Sequence, residues 1–143
     1  MGTKTKPSTK FWVIAVLAII WNIMGAMSYL GQAYMTEDMR KLIPEDQFAI
    51  IENAPAWAVA AFAIAVWIGL LSSILLVLRK KVAKIGFTIS FFGILVQLIY
   101  NFAIADAYSV YGNSGLIIPI LTVVIGFYLI GHSQRCIKAG LLT

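Results

Sequence analysis

The sequence predicts an all-α membrane protein: a four-transmembrane-helix bundle with both termini cytoplasmic and a short amphipathic helical loop outside. The first observation is composition, because 61% of the 143 residues are hydrophobic and only 12% are charged, against about 45–50% and 25% in soluble domains. The mean hydropathy is +0.90. The second is charge segregation. Asp, Glu, Lys and Arg are absent from four runs, namely 11–36, 53–78, 85–105 and 107–134.

Each of these runs can cross a bilayer once, because a spanning helix needs about 20 apolar residues and the shortest run has 21. Together they cover 101 of the 143 residues, which argues against a soluble enzyme and leaves little of this sequence for a catalytic domain. We therefore expect one four-helix domain over residues 1–143. Its predicted elements are spans at about 11–33, 55–78, 84–105 and 114–133, with an outer loop at 34–54.

The first apolar stretch resembles a signal peptide, because Lys4, Lys6 and Lys10 precede it. However, Phe11–Leu30 is 20 residues long, whereas signal-peptide cores have about 7–15. We therefore expect an uncleaved first span.

The remaining charges predict the orientation. Nine of the eleven basic residues lie before span one, between spans two and three, or after span four, and all six acids lie in the other two links. Positively charged segments stay in the cytoplasm, so both termini should be cytoplasmic. The net charge of +5 is then a consequence of topology and contact with anionic lipid, and we expect no nucleic-acid partner. The nine basic residues are Lys4, Lys6, Lys10, Arg79, Lys80, Lys81, Lys84, Arg135 and Lys138.

The outer loop carries two helix-start signals. Thr36-Glu37-Asp38 is typical of an N-cap followed by acids in the first turn, and Pro44-Glu45-Asp46 is typical of a second start. Apolar residues follow each signal at helical spacing. These short helices would either form a lid over a cavity or simply cap the bundle.

Small residues recur along the spans at spacings of three and four, which places them on one face of each helix. Such faces let helix backbones approach closely in lipid. The residues expected to pack against other helices are Gly25, Ala61, Ala65, Gly69, Gly93 and Gly126.

Catalytic and metal chemistry is not expected. No acid or base lies in the middle of a span, and Asp106 lies at the outer end of span three, which disfavours proton-coupled antiport. The only histidine, His132, should be interfacial, and the only cysteine, Cys136, should lie in the cytoplasmic tail. No second ligand accompanies either at metal-binding spacing, so we expect no metal, no cofactor and no enzyme.

The uncharged polar residues of the spans are the candidate site. They either fix the helix register through hydrogen bonds or form a pocket for a neutral solute, with Trp21 or Trp67 as stacking walls. Spans one, three and four place these groups at one depth, so we expect a hydrogen-bonded cluster around Asn22 and Gln97. A cavity should open beneath the 34–54 loop, with the opposite half closed. The candidate residues are Asn22, Tyr29, Gln32, Gln97, Tyr100, Asn101 and Thr122.

Several segments resemble a family of short bacterial four-span inner-membrane proteins often labelled hypothetical or "sugar transporter". They are Trp21-Asn22-x-x-Gly25, Pro55-Ala56-Trp57-Ala58 with Phe62-Ala63-Ile64-Ala65-Val66 and Gly69, Arg79-Lys80-Lys81, and the pattern Ser90, Gln97, Tyr100. The resemblance covers nearly the whole chain. It implies four spans in the bacterial cytoplasmic membrane and carries over no binding or catalytic residue.

Two functions remain open at this stage. The first is a non-enzymatic accessory subunit that binds a membrane partner through its small-residue faces. The alternative is a small carrier or permease component for a neutral solute such as a sugar. Four short helices rarely enclose a pathway, so a carrier should be a homo-oligomer or part of a larger membrane complex.

Overall fold

The computed structural model describes residues 6–143, so Lys4 of the basic amino-terminal segment lies outside the described residues. Within residues 6–143 the chain forms seven helices and no strand. The helices are α1 (Thr9–Ala33), α2 (Glu37–Lys41), α3 (Glu45–Glu52), α4 (Ala56–Val77), α5 (Val82–Ile104), α6 (Ala107–Tyr111) and α7 (Asn113–Lys138).

Four of the helices, α1, α4, α5 and α7, are long and apolar enough to cross a membrane. This confirms the predicted all-helical class and its four candidate spans. The last span differs in length, because α7 continues to Lys138 instead of ending near residue 133. No glycine or proline follows residue 133 until Gly140, which has φ 77° and suits a helix C-terminus.

The two helix starts predicted in the 34–54 loop are present as α2 and α3. The Thr36 Oγ1 accepts a hydrogen bond from the Met39 backbone N–H at 3.2 Å, and Pro44 precedes α3. Arg40 then lies over the Phe48 ring, 3.8 Å from its centroid, so a cation–π contact joins the two short helices.

The helix α6 was not expected from sequence. It follows Asp106, whose φ of 51° reverses the chain after α5. The Asp106 carboxylate accepts a hydrogen bond from the Ser109 hydroxyl at 2.5 Å. This carboxylate therefore has a local structural role at the turn.

Helix packing places α5 between α4 and α7, while α1 packs on α4. Gly93 of α5 lies so close to α4 that an added Cβ would be 2.8 Å from the Ala61 carbonyl oxygen. Gly126 of α7 lies against the Phe91 ring of α5, and Gly25 of α1 against the Val66 side chain of α4. The small residues on these helices thus contact other helices of the same chain.

Two helical turns are wound more widely than an α-helix. Residues 64–68 of α4 and 99–104 of α5 are π-helical, and the Ala105 N–H donates to the Tyr100 carbonyl at 2.8 Å. Such turns are frequent at functional sites. The turn at 99–104 lies at the end of α5 nearer α2 and α3, whereas the turn at 64–68 lies at the middle of α4.

The opposite end of the bundle is closed by a packed apolar cluster. Leu142, only 2% exposed, folds back into it after α7. The return is held by Arg79, whose Nε donates to the Leu141 carbonyl at 2.8 Å and whose carbonyl accepts from the Thr143 N–H at 2.8 Å. The buried members of the cluster are Phe11, Ala15, Ala18, Leu76, Ala83, Phe87, Leu129, Cys136 and Leu142.

His132 and Cys136 belong to this closed end, which corrects one prediction. Cys136 is buried in the last turns of α7 rather than lying in a tail after the span, and His132 is buried one turn before it. The Cys136 Sγ lies 3.5 Å from the His132 Nε2. Among the described residues, no group of three or more His, Cys, Asp and Glu side chains could hold a metal ion.

Candidate functional site: two joined cavities near the α2–α3 loop

The candidate site consists of two adjoining cavities in the half of the bundle beneath α2 and α3. We call the cavity directly under α3 the loop-side pocket, and its volume is about 180 Å³. We call the deeper cavity the lateral groove, and its volume is about 420 Å³. The loop-side pocket is lined mainly by α3, α4, α5, α6 and the start of α7, and the lateral groove by α1, α4, α5 and α7.

The loop-side pocket lies where a cavity was predicted, beneath the 34–54 loop. Ile50, Ile51 and Ala54 of that loop form its cover. The cover is fixed by the Tyr100 hydroxyl, which donates to the Ile50 carbonyl at 2.7 Å. Trp57 supports the Tyr100 ring edge-on at 6.1 Å between centroids. The 34–54 loop, which contains α2 and α3, therefore covers a cavity, as the lid hypothesis requires.

The candidate residues divide between the two cavities. Gln32, Gln97, Tyr100 and Asn101 line the loop-side pocket, whereas Asn22, Gln97, Asn101 and Thr122 line the lateral groove. Tyr29 lines neither.

Of the two tryptophans predicted as stacking walls, only one lines a cavity. Trp21 lines the groove, but Trp67 packs edge-on against Tyr29 at 6.2 Å and lines neither cavity. Tyr29 also packs on Phe62, at 5.5 Å between ring centroids. Tyr29 is therefore part of the aromatic packing between α1 and α4.

The expected cluster around Asn22 and Gln97 is only partly present. The Asn22 amide donates to the Ser73 hydroxyl at 3.0 Å and to the Ala18 carbonyl at 2.8 Å. Its side-chain oxygen lies against Gly69. Asn22 thus binds α4, and Gln97 is not its partner. Ser73 follows Gly69 by four residues and is typical of a small packing position, so the sequence does not mark its hydroxyl as the partner of Asn22.

A second hydroxyl that the sequence did not single out as a partner is Ser90 of α5. Its Oγ donates to the Ala65 carbonyl at 2.5 Å. Ala65 belongs to the π-helical turn of α4. A wide turn leaves backbone carbonyls less well paired along the helix axis, and a neighbouring hydroxyl can satisfy one of them.

The amides of Gln97 and Asn101 lie at the junction of the two cavities and face both. Within residues 6–143, neither side chain forms a hydrogen bond, and Gln32 forms none either. Gln97 and Asn101 are half-buried and Gln32 is exposed, and a partly desolvated amide is stabilised by pairing with another polar group. These groups are therefore available to a ligand that carries hydrogen-bonding atoms.

The two cavities are electrically neutral. No charged side chain lines either cavity in the described part of the chain. Burial raises the pKa of the Tyr111 phenol at the pocket rim, and the Asp46 carboxylate raises it further. Tyr111 therefore stays protonated, and the site offers hydrogen-bond donors and acceptors without a fixed charge.

The small-residue faces are occupied within the bundle. Ala61 and Ala65 are buried, and Gly25, Gly69, Gly93 and Gly126 all lie against side chains or backbone of another helix. These residues therefore contact other helices of the same chain.

Comparison of the chain with protein-family models, with curated proteins and with solved structures finds no match.

Proposed function

We propose that this chain is a non-enzymatic membrane protein that binds the uncharged polar part of a ligand in its loop-side pocket. The observation that carries the proposal is the pair of unbonded amides, Gln97 and Asn101, at the junction of two uncharged cavities. Amide side chains bind hydroxyl and amide groups as both donors and acceptors. An ionic ligand would lack a counter-charge there, and such burial is strongly unfavourable.

The proposed membrane is the bacterial cytoplasmic membrane, with the α2–α3 loop outside. Nine of the eleven basic residues belong to the opposite side of the bundle by this topology, as the positive-inside rule requires. The family resemblance supports the same location. The ligand would then reach the loop-side pocket from outside the cytoplasm.

Transport is a second candidate function, supported by the asymmetry of the bundle. The cavities occupy the loop half, whereas Leu142 and its neighbours close the other half. A carrier that faces one side of the membrane has this arrangement. Solute uptake into proteoliposomes above that of empty vesicles would distinguish a carrier from a binding or accessory subunit.

The binding proposal is tested by ligand-induced stabilisation of the protein in lipid nanodiscs. The probes are neutral sugars and polyols, offered both free and as short-chain alkyl derivatives, because binding to the native state raises Tm. We expect at least one probe to raise the Tm of the wild-type protein and of Gln134→Met, but not of Gln97→Met. Gln134 lies near the closed end of α7 and lines neither cavity.

Two results would contradict this proposal. One is that no probe in either form raises Tm. The other is that stabilisation survives unchanged in Gln97→Met and in Asn101→Leu.

A further inference from the structure

The two cavities differ in chemistry although they share one boundary. Each cavity is lined by four of the seven candidate polar residues, but the lateral groove is larger and a greater share of its wall is apolar, with side chains such as Val66, Ile94 and Leu98. Both cavities include Phe62, Gln97, Asn101 and Pro119 in their linings. A ligand that filled both would meet hydrogen-bonding groups at one end and hydrocarbon at the other.

The lateral groove opens on the outer surface of the bundle, between α1 and α7. Met24 of α1 and Ile118 of α7 line it and are 57% and 61% exposed. These two helices approach each other at the closed end, where the Phe11 and His132 rings lie 6.3 Å apart. They do not pack along their length, which leaves the gap that forms the groove.

The size of the groove suits a hydrocarbon chain. Its volume of about 420 Å³ falls within the range of about 300–1,000 Å³ that is typical of small-molecule sites. The loop-side pocket, at about 180 Å³, is large enough only for a compact polar group. The larger and more apolar of the two cavities is thus the one that the bilayer can reach.

We infer that the ligand is an uncharged amphiphile from the membrane. Its hydroxyl-bearing head group occupies the loop-side pocket at Gln97 and Asn101, and its hydrocarbon chain lies in the lateral groove between α1 and α7. This inference rests on the proposed function and adds the class of ligand and its route of entry. The absence of lining charge excludes anionic phospholipids as the preferred ligand, because a buried phosphate requires a cationic partner.

The test uses monoacylglycerols of increasing chain length, added to the full chain in nanodiscs made of phosphatidylcholine. Nanodiscs free of detergent are needed because alkyl glycoside detergents are themselves uncharged amphiphiles. The apparent affinity, referred to the total concentration added, should rise with chain length, since each methylene contributes about 0.8 kcal/mol to transfer from water into the nanodisc or the groove. Free glycerol should therefore bind more weakly than any monoacylglycerol, and the variants below separate the groove from the surrounding lipid.

The groove is tested by filling it. Thr122→Phe places a large side chain in the groove lining, whereas Val124→Phe makes a similar change on α7 at a position that is 58% exposed and outside the lining. We expect Thr122→Phe to weaken monoacylglycerol binding about tenfold, equivalent to about 1.4 kcal/mol. Val124→Phe should bind like the wild type. Ser28→Phe on α1, with the lipid-facing Met27→Phe as its control, repeats the test if Thr122→Phe does not fold.

A diazirine-bearing monoacylglycerol locates the chain directly. We expect photo-adducts on the groove residues Trp21, Met24 and Ile118, and competition by unlabelled monoacylglycerol. Adducts spread evenly over the lipid-facing surface, or no effect of Thr122→Phe and Ser28→Phe, would overturn the inference. Equal competition by an anionic lysophosphatidylglycerol would also overturn it.

Failure here is distinguishable from failure of the proposed function. If a free sugar or polyol binds through Gln97 but chain length and groove filling have no effect, the amphiphile inference is wrong and the binding proposal stands. If no free or alkylated probe binds, both are wrong.

Discussion

At the residue scale, Asn22 shows what a polar side chain in a span does in this protein. Its amide bridges α1 to the Ser73 hydroxyl of α4, and its oxygen rests on Gly69. The sequence predicts that Asn22 needs a partner, because an unpaired amide in lipid is unfavourable. It could not identify that partner, since any of several hydroxyls at a similar depth would serve and only the rotation of α4 selects Ser73.

The contact between Asn22 and Gly69 leads to a first prediction. Gly69→Ala should destabilise the protein by about 1–3 kcal/mol, because the new Cβ would collide with the Asn22 oxygen and lie 3.0 Å from the Ser90 Oγ. In an Asn22→Ala background the same change should be clearly less harmful. Unfolding of all four proteins of this double-mutant cycle measures the coupling.

Gly31→Ala is the matched control for that cycle. An added Cβ there meets only the Met39 side chain, at an ordinary 3.6 Å, and alanine favours the helix over glycine by about 1 kcal/mol. Gly31→Ala should therefore be neutral or stabilising. An equal loss of stability on Gly69→Ala with and without the Asn22 side chain would contradict the proposed contact.

At the element scale, the elements that sequence predicted are those with local signals. The long charge-free runs predict α1, α4, α5 and α7, and the N-cap of Thr36 predicts α2. The helix α6 and the π-helical turns have no comparable signal. Their geometry depends on contacts between helices, as with the Ser90 hydroxyl on the Ala65 carbonyl, and residues 25 positions apart cannot be paired from local periodicity.

Removal of the Ser90 hydroxyl tests the role of that contact. Ser90→Ala should destabilise the bundle by about 0.6 kcal/mol and by no more than about 1.7 kcal/mol, the average and the maximum measured for interhelical hydrogen bonds in a membrane protein. Ser28→Ala is a suitable comparison, because the Ser28 hydroxyl bonds only within its own helix, to the Met24 carbonyl at 3.1 Å. Ser28→Ala should leave unfolding unchanged. Equal effects of the two changes would show that the Ser90 bond does not support the α4–α5 interface.

At the scale of the whole molecule, the bundle has one packed end and one end with cavities. The positions of the amides allowed that division to be predicted, since they lie towards the loop end and few polar groups lie in the other half. The joining of the two cavities could not be predicted, because it depends on the separation of α1 from α7. The return of the last residues onto Arg79 could not be predicted either, because the sequence has no periodic signal for it.

The packing of the closed end predicts a large loss of stability when Leu142 is truncated, although no periodic pattern in the sequence marks this residue. Leu142→Ala should destabilise the protein by about 2–5 kcal/mol, because its side chain is 2% exposed and packs in the apolar cluster. Leu78→Ala should change stability little, since Leu78 is 59% exposed. Thermal unfolding in nanodiscs compares the two variants, and similar stability would show that Leu142 does not close this end.

The last prediction concerns which end of the bundle faces the cytoplasm, because the ligand's route depends on it. In a Cys136→Ser background, a single cysteine at Asn53 should react with a membrane-impermeant thiol reagent in intact cells, and one at Ala139 should react only after lysis. Both positions are exposed and lie at opposite ends of the bundle. The native Cys136 cannot serve as the inner reporter, because it is only 3% exposed. The opposite labelling pattern would place the joined cavities on the cytoplasmic side, and the amphiphile would then have to enter from the inner leaflet.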